Sequence, residues 1–274
     1  MDLDLAGVHV LVTGANGGIG LETVKVFLEQ GARVTAQYRS SAASLQPLIA
    51  EYPSTLSLAQ ADLASEPAVQ SLFAALSTPV EVLVVNHAVY TGQAPLKDMT
   101  LAHWSNTLDN NLTSSFLVVR EYLKGLEAGI AAGVGRFGER AAVVSVGSTA
   151  GKYGEAGSAD YAATKSALMY GFTLSLKNEI VKIAPRARVN CVAPGWVKTP
   201  MATEALANPH IIYQALATTP LKKVAEPRDV ANQIVLLSST KVSGHITGQV
   251  LMVEGGMEGR LLNRAADLGL PADA

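Results

Sequence analysis

Apolar and polar positions along this chain follow two periods, and the switch between them recurs along nearly its whole length. Short runs rich in Val, Leu and Ala stand at Gly7–Val12, Ala32–Gln37, Leu56–Gln60, Val80–Val85, Ala141–Val146, Arg188–Val192 and Gln249–Val253. Their length and their Gly, Pro, Asn, Asp and Ser borders predict strands. Elsewhere apolar residues return every three or four positions. This happens from Leu21 to Gln30 (closed by Gly31), from about Pro67 to Leu76 with Ser65 as cap, from Leu101 to Glu127, from Ala159 to Ile183 and from Pro227 to Ser238. That spacing predicts helices with one buried face. Strand and helix alternate throughout, which predicts an α/β fold: a parallel, doubly wound seven-stranded sheet with helices on both faces. The Gly- and Ala-rich segment Glu127–Arg140 reads as a loop. No repeat or break in composition divides the chain, so 1–274 is expected to be one domain, with its core at about 5–256 and a C-terminal tail at 257–274.

Composition narrows the class. Hydrophobic residues make up 49% of the 274 positions and charged residues 16%, enough for a large core, and the net charge of −2 argues against nucleic acid as a partner. The start, M-D-L-D-L, is acidic where a signal peptide would be basic, and no apolar run reaches the roughly 18 residues of a spanning helix. The single cysteine, Cys191, excludes an intrachain disulfide and a cysteine-clustered metal site, and no histidine spacing suggests one. A cytoplasmic protein without a membrane or metal partner is expected.

Three stretches carry chemistry. The first strand feeds directly into T-G-A-N-G-G-I-G at Thr13–Gly20 and then into a helix. Glycines there let the backbone approach a pyrophosphate, and the free N–H groups of the helix start point at its charge, as in a Rossmann-type dinucleotide site. The second strand ends in Tyr38-Arg39-Ser40 with no carboxylate nearby. An acidic residue there would bind the ribose 2′-hydroxyl of NAD, whereas the arginine fork and the serine hydroxyl suit a 2′-phosphate, so NADP(H) is preferred, with NAD(H) the alternative. The third stretch runs from Ser148, after an apolar strand, to Tyr161 and Lys165, which share one helix face at i and i+4. Of the eight tyrosines only Tyr161 has a lysine four residues on. The pair reads as a proton donor and the cation that tunes it.

With these pieces in order the chain resembles the short-chain dehydrogenase/reductase family over roughly Leu5–Gly256. The likeness rests on the glycine loop, Asp62-Leu63, N-H-A-V at Asn86–Val89, Asn111 seven residues after Trp104, the Ser148, Tyr161 and Lys165 spacing, and P-G-W-V-K-T at Pro194–Thr199. The resemblance implies a catalytic set of Asn111, Ser148, Tyr161 and Lys165. It implies cofactor contacts from Gly14, Asn16, Gly18 and Ile19 at the pyrophosphate, from Asp62 and Leu63 at the adenine, and from Asn86 and Ala88 along the ribose side. Val197 and Thr199 would meet the nicotinamide amide, with Pro194 and Gly195 behind them, and Tyr161 and Lys165 also serve the cofactor. A mobile lid at about 198–225 and a homo-oligomer, tetramer or dimer, are implied as well. Three departures stand out: Gly17 where many NADP-preferring members have a basic residue, His87 and Val89 in place of the usual Asn and Gly, and a longer Glu127–Arg140 segment.

The expected reaction is NADPH-dependent reduction of a ketone or 3-oxoacyl group, on a small and largely apolar carbonyl substrate. Lys165 and an oxidised nicotinamide should lower the Tyr161 pKa, Ser148 should bind the substrate oxygen, and Asn111 should anchor a water that links Lys165 to solvent. The alternatives are an NAD-dependent secondary-alcohol dehydrogenase and, in another class, a dinucleotide-binding sensor without turnover.

Overall fold

The structure is a computed structural model that describes residues 2–133 and 137–258. Its strands are β1 (His9–Val12), β2 (Arg33–Tyr38), β3 (Leu56–Gln60), β4 (Val82–Val85), β5 (Ala142–Val146), β6 (Arg188–Pro194) and β7 (Val250–Val253). They form one seven-stranded sheet in the order β3-β2-β1-β4-β5-β6-β7, with each neighbouring pair parallel. The first helices are α1 (Gly18–Glu29), α2 (Gln46–Glu51), α3 (Glu66–Ala74), α4 (Leu101–Leu108) and α5 (Ser114–Ala131). After β5 come α6 (Thr149–Tyr153), α7 (Ala159–Ser166), α8 (Thr173–Ile183), α9 (Thr203–Leu206), α10 (Pro209–Ala217), α11 (Pro227–Ser238) and α12 (Thr240–Ser243).

The period-two alternation of the strands sorts the core into two layers. In β4, Val82 and Val84 join Val24 and Phe27 of α1 and Ile234 of α11 on one face. Leu83 and Val85 point the other way, to Val69 of α3, Tyr122 of α5 and Ile180 of α8. Strands buried on both faces need helices on both, which is why they read as continuous apolar runs. From β1 the chain builds outward to β3, then returns to lay β4 on the other side of β1. Such a reversal opens a crevice at the carboxyl ends of the two strands, where ligands bind in this class of sheet. The glycine loop follows β1 and Asn86–Val89 follows β4, so both line it.

Several predicted spans need correction. The pattern from Leu101 to Glu127 is not one helix but α4, a π-helical turn at Asp109–Thr113, and α5. Ala159–Ile183 is likewise split by a π turn at Ala167–Phe172. Each π turn slips the ladder by one residue without moving the apolar stripe off the core, so hydrophobic spacing alone does not disclose it. Glu127–Arg140 is helical as far as Ala131 and then forms a 3-10 turn at Phe137–Glu139. Phe137 is buried against Gly129, where a Cβ would lie 2.7 Å from its ring. Ser65 makes no side-chain cap; the Asp62 carboxylate instead accepts from Ala64 N at 3.1 Å in the turn before α3. The expected lid contains a 3-10 turn at Pro200–Ala202 together with α9 and α10. Of the tail, residues 259–274 lie outside the described residues. Among the described residues, no helix is long and apolar enough to cross a membrane.

Candidate active site

The glycine loop is held from beneath by side chains that leave its outer surface as bare backbone. Thr13 is buried; its hydroxyl lies 3.0 Å from Val84 O and accepts from Asn86 N at 3.0 Å. The Asn86 amide donates back to Thr13 O at 3.0 Å and Gly14 O at 3.1 Å. Asn86 therefore turns its amide N–H groups to the loop. Gly14 has φ +60° and abuts the backbone of His87, whose Cα would be 2.8 Å from an added Cβ. A side chain there would be both strained and obstructed.

Gln37 was not anticipated. It is 1% exposed near the end of β2, accepts from Gly14 N at 2.9 Å and donates to Ala61 O at 2.8 Å. Its only sequence signal is a large amide two residues after Thr35 in a short strand. Because Gly14 N is spent on Gln37, Gly14 shapes the loop rather than offering its own donor to a phosphate. Asn16 ties the loop sideways, donating to Ser41 O at 3.0 Å.

At Gly17 and Gly18 the loop opens. Gly17 caps α1 without a side-chain hydrogen bond, and the first turn carries no acidic residue, so no side chain occupies the N–H groups of the helix start. A Cβ on Gly18 would sit 2.7 Å from Thr199 Cγ2, which shows how closely the segment after β6 approaches. Bare backbone at an uncapped helix start fits a pyrophosphate. Around it, Arg39 and Ser40 are exposed beyond β2, and Arg39 donates to Asn110 Oδ1 at 3.1 Å, spanning from β2 to the first π turn. Asp62 is exposed, Leu63 buried and Ala88 half-buried. Across the crevice, Pro194 ends β6 and Gly195 N donates to Val253 O at 3.0 Å. Val197 is buried and bridges Ala225 through the peptide groups on either side of it, which turns its own N–H and C=O the other way. The residues present thus fit a nicotinamide dinucleotide along the strand ends.

Ser148, Tyr161 and Lys165 come together at the end of β5. Ser148 caps α6, accepting from Ala150 N at 3.1 Å, and its hydroxyl stands near enough to the Tyr161 phenol to favour the phenolate. Lys165 is 2% exposed; its Nζ donates to Val146 O at 2.8 Å and lies 5.6 Å from the Tyr161 ring centroid. Tyr90 packs edge-on against Tyr161, centroids 5.7 Å apart at 86°. Burial pushes Tyr161 up to about 12, and the neighbouring Ser148 hydroxyl offsets only part of this. Desolvation sets the direction for the phenol, and Lys165 is not among the groups that shift it. Lys165 is itself brought down to about 8 by burial, with Cys191 acting weakly in the opposite sense.

Asn111 is fully buried in the first π turn, where its amide clamps one residue. Val89 N donates to Oδ1 at 2.7 Å and Nδ2 donates to Val89 O at 3.0 Å. The amide is thus engaged with Val89, and the main-chain carbonyl of Asn111 accepts from Ser115 Oγ at 2.6 Å. His87, which the sequence left without a role, bridges Thr13 Oγ1 and Ser114 Oγ, each at 2.8 Å. Burial brings its pKa down to about 3. It is a neutral strut between the glycine loop and α5.

A parallel dinucleotide sheet with a serine, tyrosine and lysine at the strand ends defines a nicotinamide-dependent oxidoreductase. Comparison with known proteins places it further. Residues 14–258 match the family model described as enoyl-(acyl carrier protein) reductase. The 3-oxoacyl-acyl-carrier-protein reductase of Chlamydia pneumoniae is 33% identical over 270 residues, covering 94% of this chain and 99% of the relative. That of Mycobacterium tuberculosis is 34% identical over 251 residues, 90% and 92% of the two chains. A solved short-chain dehydrogenase/reductase from Brucella melitensis, described as a glucose/ribitol dehydrogenase, superposes with a TM-score of 0.81 at 28% identity, covering 94% and 99%. The chain belongs to the short-chain dehydrogenase/reductase family. It is an NAD(P)-dependent oxidoreductase acting on C=O and CH–OH groups.

Proposed function

We propose that the protein reduces the carbonyl of a ketone or 3-oxoacyl thioester with NADPH, using Tyr161 as proton donor. The observation that carries this is the meeting of Ser148, Tyr161 and Lys165: two half-buried hydroxyl side chains beside a buried ammonium that has one protein acceptor identified, Val146 O. When bound, the reduced nicotinamide supplies a hydride to the carbonyl carbon. Tyr161 gives its proton to the carbonyl oxygen as negative charge builds there. A phenol held at about 12 keeps that proton at neutral pH, which suits the reductive direction. Ser148 donates to the same oxygen and fixes its approach. Lys165 stabilises the phenolate left behind and has N–H capacity beyond Val146 O to hold the cofactor ribose.

The names of the relatives support a 3-oxoacyl substrate, and the paired hydroxyl donors suit a carbonyl oxygen better than an isolated carbon–carbon double bond. The preference for NADPH is supported by Arg39 and Ser40 beyond β2, with no carboxylate at that strand end. Association of copies through α5 and α8 is supported by exposed Phe116, Leu174 and Val181 on their outer faces, and light scattering would read it directly. The deciding experiment is a panel of ketones and acetoacetyl-coenzyme A with NADPH and NADH, followed by loss of reduced-nicotinamide absorbance. Turnover of at least one carbonyl and tighter binding of NADPH than NADH are expected. Tight binding with no turnover across the panel would leave a dinucleotide sensor, and equal binding would remove Arg39 from its role.

A further inference from the structure

Beside the tyrosine and lysine lies a second polar cluster that the proposed chemistry does not use. Asp160, which precedes Tyr161 in the first turn of α7, is only 2% exposed. Thr107 of α4 donates to its Oδ2 at 2.5 Å, and His103 Nε2 lies 3.2 Å from the same oxygen. The other oxygen, Oδ1, is buried without a hydrogen-bond partner. Thr91 completes the cluster, its Oγ1 2.8 Å from His103 Nε2 and 3.2 Å from Thr107 Oγ1. One assignment of hydrogens gives each donor an acceptor. His103 Nε2–H donates to Thr91, the Thr91 hydroxyl to Thr107, and the Thr107 hydroxyl to the carboxylate. The run ends on the negative charge, where hydrogen bonds are strongest.

A buried carboxylate with an empty lone pair is costly, and for stability alone well-packed apolar residues would serve as well or better. What the cluster adds is a fixed relation among the pieces that carry the chemistry. It ties α7, with Tyr161 and Lys165, to α4, which runs directly into the π turn of Asn111. Through Thr91 it also ties both to the segment whose Val89 is clamped by Asn111 and whose Tyr90 stands edge-on to Tyr161. The start of α7 suits this anchor, since a carboxylate in a first helical turn is favoured by the helix dipole.

We propose that Asp160 is a positioning residue for Tyr161: held by Thr107, which His103 and Thr91 support in turn, it locks the first turn of α7 against α4 and so sets the approach of the phenol to the substrate oxygen. The proposal rests on the reading of Tyr161 as proton donor. The test is a double-mutant cycle on the fastest compound of the carbonyl panel, comparing wild type, Asp160→Ala, Tyr161→Phe and the double variant. NADPH affinity by fluorescence and melting temperature are measured for each. Asp160→Ala is expected to lower kcat on the order of 10- to 100-fold, the cost of a small misplacement, with NADPH Kd changed less than about twofold. In the Tyr161→Phe background the same change is expected to cost nothing further, because its effect passes through the phenol. A loss of equal factor in both backgrounds, or unchanged kcat in the single variant, overturns the role of Asp160 and leaves that of Tyr161 standing. A Tyr161→Phe enzyme that keeps most of its rate overturns both. Should Asp160→Ala fail to fold, Thr107→Val removes the 2.5 Å donor at nearly equal size and must show the same non-additivity. His103→Gln, which keeps an N–H donor, should retain most of the rate.

Discussion

The two halves of the strand-end crevice are built on opposite principles. In the glycine-loop half, polar side chains are consumed internally: Thr13 by β4, Gln37 by Gly14 and Ala61, Asn86 by the loop carbonyls, His87 by Thr13 and Ser114. What faces the crevice there is backbone. In the serine–tyrosine half, burial is not matched by partners. Tyr161 is pushed up, Lys165 is pushed down, and Asp160 keeps an oxygen with no donor. Binding a constant pyrophosphate requires a rigid shape, which satisfied hydrogen bonds provide. Moving a proton requires groups whose free energy changes little between two protonation states, and desolvated groups with spare hydrogen-bonding capacity come closer to that.

The strongest way to break this contrast is Tyr161→Phe, which removes one oxygen from the under-satisfied half. Turnover should fall on the order of 1000-fold, within the range of lost general-acid catalysis, while NADPH affinity stays within a few-fold because the other half is untouched. If both quantities collapsed together, the halves would not be separable. A pH profile of kcat/KM for reduction sharpens the same point, since that parameter reports the free enzyme. Lys165 loses its charge near 8 and Tyr161 its proton only near 12. The rate should therefore be level through neutrality and fall about tenfold per pH unit above about 8, as a limb set by the lysine. A profile that stays level to pH ~10 would remove the ammonium from the mechanism.

Gln37→Leu tests the other half. It leaves Gly14 N and Ala61 O without their partner at a nearly unchanged volume, so stability should drop by about 2–4 kcal/mol. NADPH affinity should weaken with it, while kcat at saturating cofactor changes little. Urea unfolding and fluorescence titration read the two effects. A loss of kcat at constant affinity would reverse the division of labour.

The sequence disclosed the sheet because strands buried on both faces must be apolar throughout, and β4 at Val82–Val85 could be little else. It disclosed Ser148, Tyr161 and Lys165 because their spacing fixes their meeting once strand and helix are placed. It did not disclose depth. Lys165 as a neighbour predicted a lowered Tyr161, but burial sets the direction and the spacing of two residues says nothing about solvent. Nor did it disclose the π turns, which shift a ladder by one residue within a stripe that tolerates the shift. The hold of Asn111 on Val89 sits within the first of them. Gln37 and Asp160 were hidden for a simpler reason: a polar letter in a strand or a first helical turn looks like surface until its neighbours are known.

The smallest effect expected is the acid limb of stability, and it concerns His87. An unfolded chain protonates this histidine near 6.5, whereas the folded protein holds it neutral down to about 3. Between those values the unfolded state binds the extra proton, so the stabilisation is complete above 6.5 and is lost as pH falls toward 3. His9 is also buried with a lowered pKa, so the wild-type slope alone would not identify the source. The difference between wild type and His87→Gln does, because only His87 changes. The glutamine variant should be less stable at neutral pH, having lost one of the two ring hydrogen bonds, and the gap should close by up to about 1.4 kcal/mol per pH unit below about 6. Parallel stability curves from pH ~7 to ~4.5 would mean that His87 titrates in the folded protein as it does in the unfolded one. The glycine-loop half would then hold a titrating group of its own, and the contrast between a satisfied and an unsatisfied half would fail at the residue that joins the glycine loop to α5.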